Sequence, residues 1–208
     1  MSLILTFITS LMLGMRHATD PDHIVAVTTI VSRERSVAKA AGIGVLWGIG
    51  HSITLLLVGG AIIAFKIVVD ARIGLSLELC VAIMLIVLGV LNLIDTRASA
   101  RTASTSRPFL VGVVHGLAGS AAAALLIVPL IDDPRWAVLY LLTFGLGTIV
   151  GMTVITLSIA APSLIAATHM PSLQRSLRVA SGAVSLIFGL YLAHKIGFTD
   201  GLFVSRPR

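Results

Sequence analysis

The sequence predicts an all-α fold, a polytopic membrane protein with about six transmembrane helices. Three observations predict it. The first is composition. Of 208 residues, 57% are hydrophobic and 12% charged, with a mean hydropathy of +1.04, whereas a soluble domain carries roughly 25% charged residues. Charges that sparse do not cover a globular surface, which excludes a soluble enzyme, a disordered chain and a nucleic-acid-binding domain. The second is run length, because the chain divides into apolar runs near the ~20 residues that a helix needs to cross a ~30 Å hydrocarbon layer. The third is the shortness of the connections. The longest, residues 95–108, is rich in Ser, Thr and Arg and divides the chain. A net charge of +6 and a pI near 10.5 then read as basic cytoplasmic loops. The single cysteine, Cys80, excludes an intrachain disulfide and any CxxC site. Nothing basic precedes the first apolar run, so no cleavable leader is expected.

The expected spans are residues 2–31, 40–65, 73–94, 109–131, 136–160 and about 173–196. The first is apolar over residues 3–15, polar through Arg16, His17, Asp20, Asp22 and His23, and apolar again over residues 24–31. Neither apolar piece spans alone, and together they carry five ionisable groups into the bilayer. The alternative is an interfacial helix followed by a polar loop, which leaves residues 24–31 without a role. The sixth span is the weakest, with Arg175 and Arg178 in its first turns.

Loop charge sets the expected orientation. Loops one, three and five hold Arg33, Arg35, Lys39, Arg97, Arg101, Arg107, Arg175 and Arg178, while loops two and four hold Lys66, Arg72 and Arg135. The first set is placed in the cytoplasm and both termini outside. Lys195, Arg206 and Arg208 in the tail pull the other way. The chain is read as one transmembrane domain, residues 1–208, in the cytoplasmic (inner) membrane.

Its halves, residues 1–96 and 107–196, share three anchors in the same order. Gly14-x-x-His17 matches Gly112-x-x-His115 at an offset of 98, Trp47-Gly-Ile-Gly50 matches Phe144-Gly-Leu-Gly147 at 97, and Gly89 matches Gly189 at 100. Glycine is common here, at 19 residues, so chance is the competing explanation. A true repeat has three spans per unit, and an odd number inverts the second unit. Such 3+3 inverted repeats with broken helices mark many secondary transporters.

The chemistry concentrates in Arg16-His-Ala-Thr-Asp-Pro-Asp-His23. Pro21 has no N–H for the carbonyl of His17, and Asp20-Pro21 reads as an N-cap with proline at the first helical position. A helix that stops near His17 and restarts at Pro21 is expected. On one straight helix His17 and Asp22 point about 140° apart; a break lets them converge. Arg16 stands four residues before Asp20, at pairing distance, and neutralises one carboxylate. The remainder, about one negative charge with two imidazoles, calls for a divalent cation. Imidazole with carboxylate suits nickel, cobalt, zinc or iron(II), and no thiolate is near to favour copper(I). The competing reading has the acids only capping a half-helix and the histidines filling space.

His51, within Gly48-Ile-Gly-His-Ser52, is a candidate third ligand, with Ser52 behind it. Gly42, Gly44, Gly48 and Gly50 allow another helix to approach. His115 is equally deep but lacks acidic neighbours in the chain, so a structural or pathway role is expected of it. His169 and His194 fall at span ends. The chain lacks GxxxxGK[ST], HExxH and paired ExxH motifs, which leaves ATP binding by that loop, a zinc protease of that type and a di-iron oxidase without support.

His17-x4-Asp22-His23 resembles the HX4DH motif of the nickel/cobalt transporter (NiCoT) family, and Gly50-His-Ser52 resembles that family's second motif. The two cover about the first 60 residues. The resemblance implies a permease carrying Ni²⁺ or Co²⁺, with metal roles for His17, Asp22, His23 and His51, and with Asp20 at the family's additional acidic position. Two departures stand out. Family members usually have eight spans, and the acidic LGxDTATE-type motif is replaced by Val114-His-Gly-Leu-Ala-Gly-Ser120. Both features resemble the short branch of urease-accessory-type nickel permeases. The expected function is uptake of a transition-metal dication, with no cofactor beyond that cargo, the lipid bilayer as surrounding partner and no nucleic acid. Export, or an accessory role in nickel-enzyme maturation without transport, are the alternatives.

Overall fold

The structure is a computed structural model that describes residues 3–32, 34, 36–65, 70–94, 106–118 and 133–204. Among these the regular secondary structure is all helical. The helices are α1 (Leu3–His17), α2 (Pro21–Val31), α3 (Val37–Phe65), α4 (Ala71–Leu93), α5 (Ser106–Leu117), α6 (Pro134–His169) and α7 (Pro171–His194), followed by a π-helical turn, Lys195–Thr199. Among the described residues four segments are long and apolar enough to cross a membrane, namely Val37–Ile62, Ala71–Leu93, Arg135–Pro162 and Ser172–Thr199. The other two expected spans are shorter pieces. The first divides into α1 and α2, and α5 ends at Leu117, with the remainder of residues 109–131 outside the described residues. The divider loop and several of the loop arginines also lie outside them. α6 is longer than expected and passes through Pro162. A bilayer tolerates proline inside a helix because neighbouring groups re-satisfy the freed carbonyl.

Leu57, Val154, Val184 and Ile187 are exposed on the outer surface. In water such a surface drives aggregation; in lipid it is the solvated face. Inside, Val27, Trp47, Leu85 and Met152 are fully or almost fully buried.

The principal helix pairs are α3 with α6, α4 with α7, α3 with α5 and α1 with α6. Lipid tails are as apolar as leucine, so close packing by small residues drives such pairing. A Cβ at Gly14 would strike the carbonyl oxygen of Phe144, and one at Gly112 the carbonyl oxygen of Trp47. Likewise Gly147 lies on the carbonyl of Leu11, and Gly50 on that of Phe109. Gly89 lies on the backbone of Gly182 and Leu186, while Gly189 lies on that of Ala82 and Ile86. Each contact recurs with the roles of the two halves exchanged. Of the four glycines expected to admit a neighbour to α3, Gly44, Gly48 and Gly50 do so, but Gly42 has nothing within 4 Å. Gly147 and Gly151 both pack within the chain, against α1.

Buried polar groups tie the remaining elements. Asn92 on α4 donates through Nδ2 to Ser32 Oγ at 3.1 Å and Ser181 Oγ at 3.0 Å, which joins α4 to the end of α2 and to α7. Ser185 donates to the carbonyl of Leu85 at 2.8 Å. α2 is therefore held at its far end, and its first turn is set against a cluster of buried histidines.

Candidate metal centre

α1 stops at His17 and α2 starts at Pro21, as the missing proline N–H requires. Asp20 is the N-cap by backbone position, but its side chain caps nothing. Its carboxylate instead meets Nδ1 of His17 at 2.9 Å. The expected pairing of Arg16 with Asp20 is not seen: Arg16 is exposed, and the carboxylate turns inward to the imidazole. This has a chemical consequence. A carboxylate at Nδ1 holds the proton there, so Nε2 of His17 presents its lone pair.

That Nε2 lies 3.2 Å from Nε2 of His51 on α3. The ring of His23, from the first turn of α2, is 4.7 Å from the ring of His17 and 5.5 Å from that of His51 between centroids. His23 and His51 are fully buried, and His17 is 7% exposed. Asp22 bridges to the second half of the chain. Its Oδ1 meets Nδ1 of His23 at 3.2 Å, and its Oδ2 meets Nε2 of His115, on α5, at 3.1 Å. His115 is also fully buried, with its ring 4.3 Å from that of His23.

Four imidazoles and a carboxylate thus meet where α1 breaks, and α3 and α5 contribute one histidine each. Two sets of donor atoms emerge, each within 4.8 Å mutually: His17, His23 and His51; and Asp22, His23 and His115. Nitrogen and oxygen ligands sit about 2.0–2.2 Å from a bound transition metal, so ligand atoms on one ion lie up to roughly 4.2 Å apart. Donors on a tetrahedral ion lie about 3.4 Å apart, so an ion would draw the widest-spaced donors of either set together by up to roughly 1.4 Å. Three ring nitrogens, Nε2 of His23, Nδ1 of His51 and Nδ1 of His115, are buried without a hydrogen-bond partner. Leaving one such group unsatisfied costs about 1–3 kcal/mol. A cation bound at Nε2 of His23 would reverse that cost there, whereas the idle Nδ1 atoms of His51 and His115 are opposite the nitrogens that face His17 and Asp22.

Two further expectations change. Asp20 belongs to neither donor set; it stands behind His17, on the nitrogen facing away from His51. Ser52 does not support His51, because its hydroxyl donates to the carbonyl of Gly145 on α6 at 3.0 Å.

Glu78 on α4 is a carboxylate beside the cluster that sequence reasoning did not single out. With Asp20, Asp22, Val81, Phe188 and Leu192 it lines a 360 Å³ cavity beside the break. The available signal was simple: a carboxylate inside an apolar span is by default functional. Asp22 is both a wall of this cavity and a partner of the buried histidines, so the cavity reaches the cluster through it.

His17, Asp20, Asp22, His23, His51 and Glu78 fall in the part of the chain that a family model covers, and His115 falls beyond it. The family model described as NicO, high-affinity nickel-transport protein, matches residues 3–108. The urease accessory protein UreH of Bacillus sp. (strain TB-90) is 32% identical over 209 residues, an alignment covering 92% of this chain and 91% of that protein. No solved structure matches the chain. The resemblance carried by the HX4DH motif is borne out, and with it a multi-pass membrane protein of a transport family, not an enzyme family. The chain belongs to the NicO family of high-affinity nickel-transport proteins.

Proposed function

We propose that the protein is a secondary permease that takes up a divalent transition-metal cation, nickel or cobalt, across the cytoplasmic membrane. The observation that carries this reading is the buried cluster of His17, Asp22, His23, His51 and His115, whose ring nitrogens are short of partners. A histidine cluster built only for packing satisfies its ring nitrogens with protein groups. This one leaves three lone-pair or N–H positions idle. Its donors are imidazole and carboxylate, the set that suits Ni²⁺ and Co²⁺.

The cation reaches the cluster through the cavity, where Asp20, Asp22 and Glu78 attract it. There it exchanges water for imidazole. α1 and α2 together make the first span, and α5 belongs to the fourth of six. The exchanged glycine contacts support two inverted halves, 1–96 and 107–196, that rock about the cluster to switch access. Both termini lie outside and the arginine-rich loops lie in the cytoplasm. No ATP motif is needed. A membrane potential supplies about 2.3 kcal/mol per charge per 100 mV, hence about 4.6 kcal/mol for a dication, or roughly three decades of accumulation. The same arithmetic opposes export.

A second reading is favoured by the name of the UreH relative: an accessory protein that holds nickel for enzyme maturation and moves none. Accumulation of radioactive nickel separates the two. Cells expressing the protein should accumulate nickel above background, excess cobalt should suppress it, and His17→Ala and His23→Ala at equal membrane levels should abolish it. Metal binding with no flux in either direction would establish the accessory reading instead. Loss of preloaded nickel would establish export.

A further inference from the structure

The cluster contains two donor sets, and they differ in character. His17, His23 and His51 form a set of three imidazoles, all buried. Asp22, His23 and His115 form a set with one carboxylate, and that carboxylate also lines the cavity. His23 belongs to both.

The sets are also related by position. His17 stands three residues after Gly14, which rests on the carbonyl of Phe144 in α6. His115 stands three residues after Gly112, which rests on the carbonyl of Trp47 in α3. Phe144 and Trp47 are themselves the paired anchors of the two halves. The two histidines therefore occupy matching places at the ends of α1 and α5, each packed against His23, with ring centroids 4.7 and 4.3 Å from it.

We propose that the cation occupies two alternative positions, one per donor set, and that its transfer between them, with His23 held throughout, is the step that carries it past the break. The position made by Asp22 and His115 faces the cavity. Its carboxylate offsets part of the ion's charge while the ion sheds water. The position made by His17 and His51 is wholly imidazole, with Asp20 fixing the tautomer of His17. His23 is shared, so a single chain holds one ion at a time. His115 becomes a direct ligand in this scheme, which nothing in the local sequence around it discloses. The scheme rests on the proposal that the protein is a permease.

The test uses the purified full-length protein in lipid nanodiscs with Co²⁺ as the probe, because its visible bands report ligand set and geometry. The unsubstituted protein binds one equivalent and shows two band systems. His115→Gln and His51→Gln each still bind one equivalent, each keeping a different one of the two systems. Both lower nickel uptake by at least tenfold, since each has lost one station. His23→Gln weakens binding at least tenfold and removes both systems. Circular dichroism and monodispersity confirm that each variant is folded, and glutamine retains a polar group in each buried place. The proposal is overturned if His115→Gln leaves spectrum and uptake within twofold of normal. It is equally overturned if His51→Gln and His115→Gln yield one and the same spectrum, if either abolishes binding, or if two equivalents bind at once. Failure of the underlying permease function looks different: the unsubstituted protein then binds Co²⁺ without any nickel flux, or binds none.

Discussion

The ends of α1 and α5 are anchored alike and furnished differently. In both, a glycine lets the helix lie on a carbonyl of its partner, and a histidine comes one turn later. Beyond that histidine the two diverge. Three residues after His17 comes Asp20, which orients it; three residues after His115 comes Ala118, which is buried and apolar. The carboxylate that meets His115 is Asp22, supplied by the other half. The glycine-on-carbonyl contact is thus present at both ends while the charge is not. Packing needs small residues at both ends, whereas each carboxylate in a bilayer costs free energy and is kept only where it acts.

The largest expected effect tests the shared scaffold. Gly14→Val and Gly112→Val each drive a Cβ into a backbone carbonyl oxygen, which no side-chain rotation relieves. Overpacking typically costs about 1–3 kcal/mol, and backbone against backbone belongs at the upper end. Both variants should lose monodisperse protein and lower the unfolding midpoint to a similar degree. Gly42→Val and Gly60→Val, with nothing within 4 Å, are the controls and should be near neutral. Thermal unfolding in detergent measures all four. A Gly112 variant that behaves like the Gly42 control would break the equivalence of the two ends.

The next effect tests the difference. Asp20→Ala removes the group that orients His17 and leaves every donor atom of both sets in place. Carboxylates that orient a metal-binding histidine typically contribute 10–100-fold in affinity. Isothermal titration with Ni²⁺ should show about a tenfold weaker Kd. Asp20→Asn, which keeps an oxygen acceptor for the Nδ1 proton, should recover much of that loss. Equal loss in both variants would mean that Asp20 acts through its charge alone.

Much of this site is legible in the sequence because it is local. Proline's missing N–H forces the break after His17, and the break, together with the density of His and Asp around it, points to convergence. What sequence reasoning left unassigned, such as the carboxylate partner of His115, depends on helix packing. His115 is 93 residues from Asp22, and only the seating of α5 on α3 brings them to 3.1 Å. Whether Asp20 binds an ion or a histidine depends on which way one side chain turns, and its spacing from Arg16 suggested the wrong partner. The fold divides in the same way. Long uniform helices such as α3 and α4 are read directly from hydropathy, whereas α1, α2 and α5 are too short to register as spans unless joined to the neighbouring segment of chain.

Glu78 sharpens the contrast from outside the break. It is the carboxylate that α4 contributes to the cavity wall, and the first half also supplies Asp20 and Asp22 there. Glu78→Gln preserves shape and removes one charge about the approach to the cluster. It should raise the apparent KM for nickel uptake about three- to tenfold while maximal uptake stays within twofold. A fall in maximal uptake at unchanged KM would place Glu78 in the transfer step rather than the approach.

The smallest expected effect concerns Ser52, next to His51 in the chain yet turned away from it. Its hydroxyl donates to the Gly145 carbonyl at 3.0 Å, and Gly145 in turn would meet the Ser52 side chain with any Cβ it gained. The serine therefore serves the α3–α6 contact. A buried neutral hydrogen bond contributes about 0.5–1.5 kcal/mol net, and Ser52→Ala keeps the volume near that of serine. The variant should lose stability of that order, read as a small drop in the unfolding midpoint, while nickel affinity and the Co²⁺ spectrum stay within twofold. A changed spectrum with unchanged stability would put the hydroxyl back behind His51 and make the second half of the motif part of the metal site. Unchanged binding separates the two functions packed into neighbouring positions of one helix: His51 faces the cluster at the break, and Ser52 holds the helix that carries it.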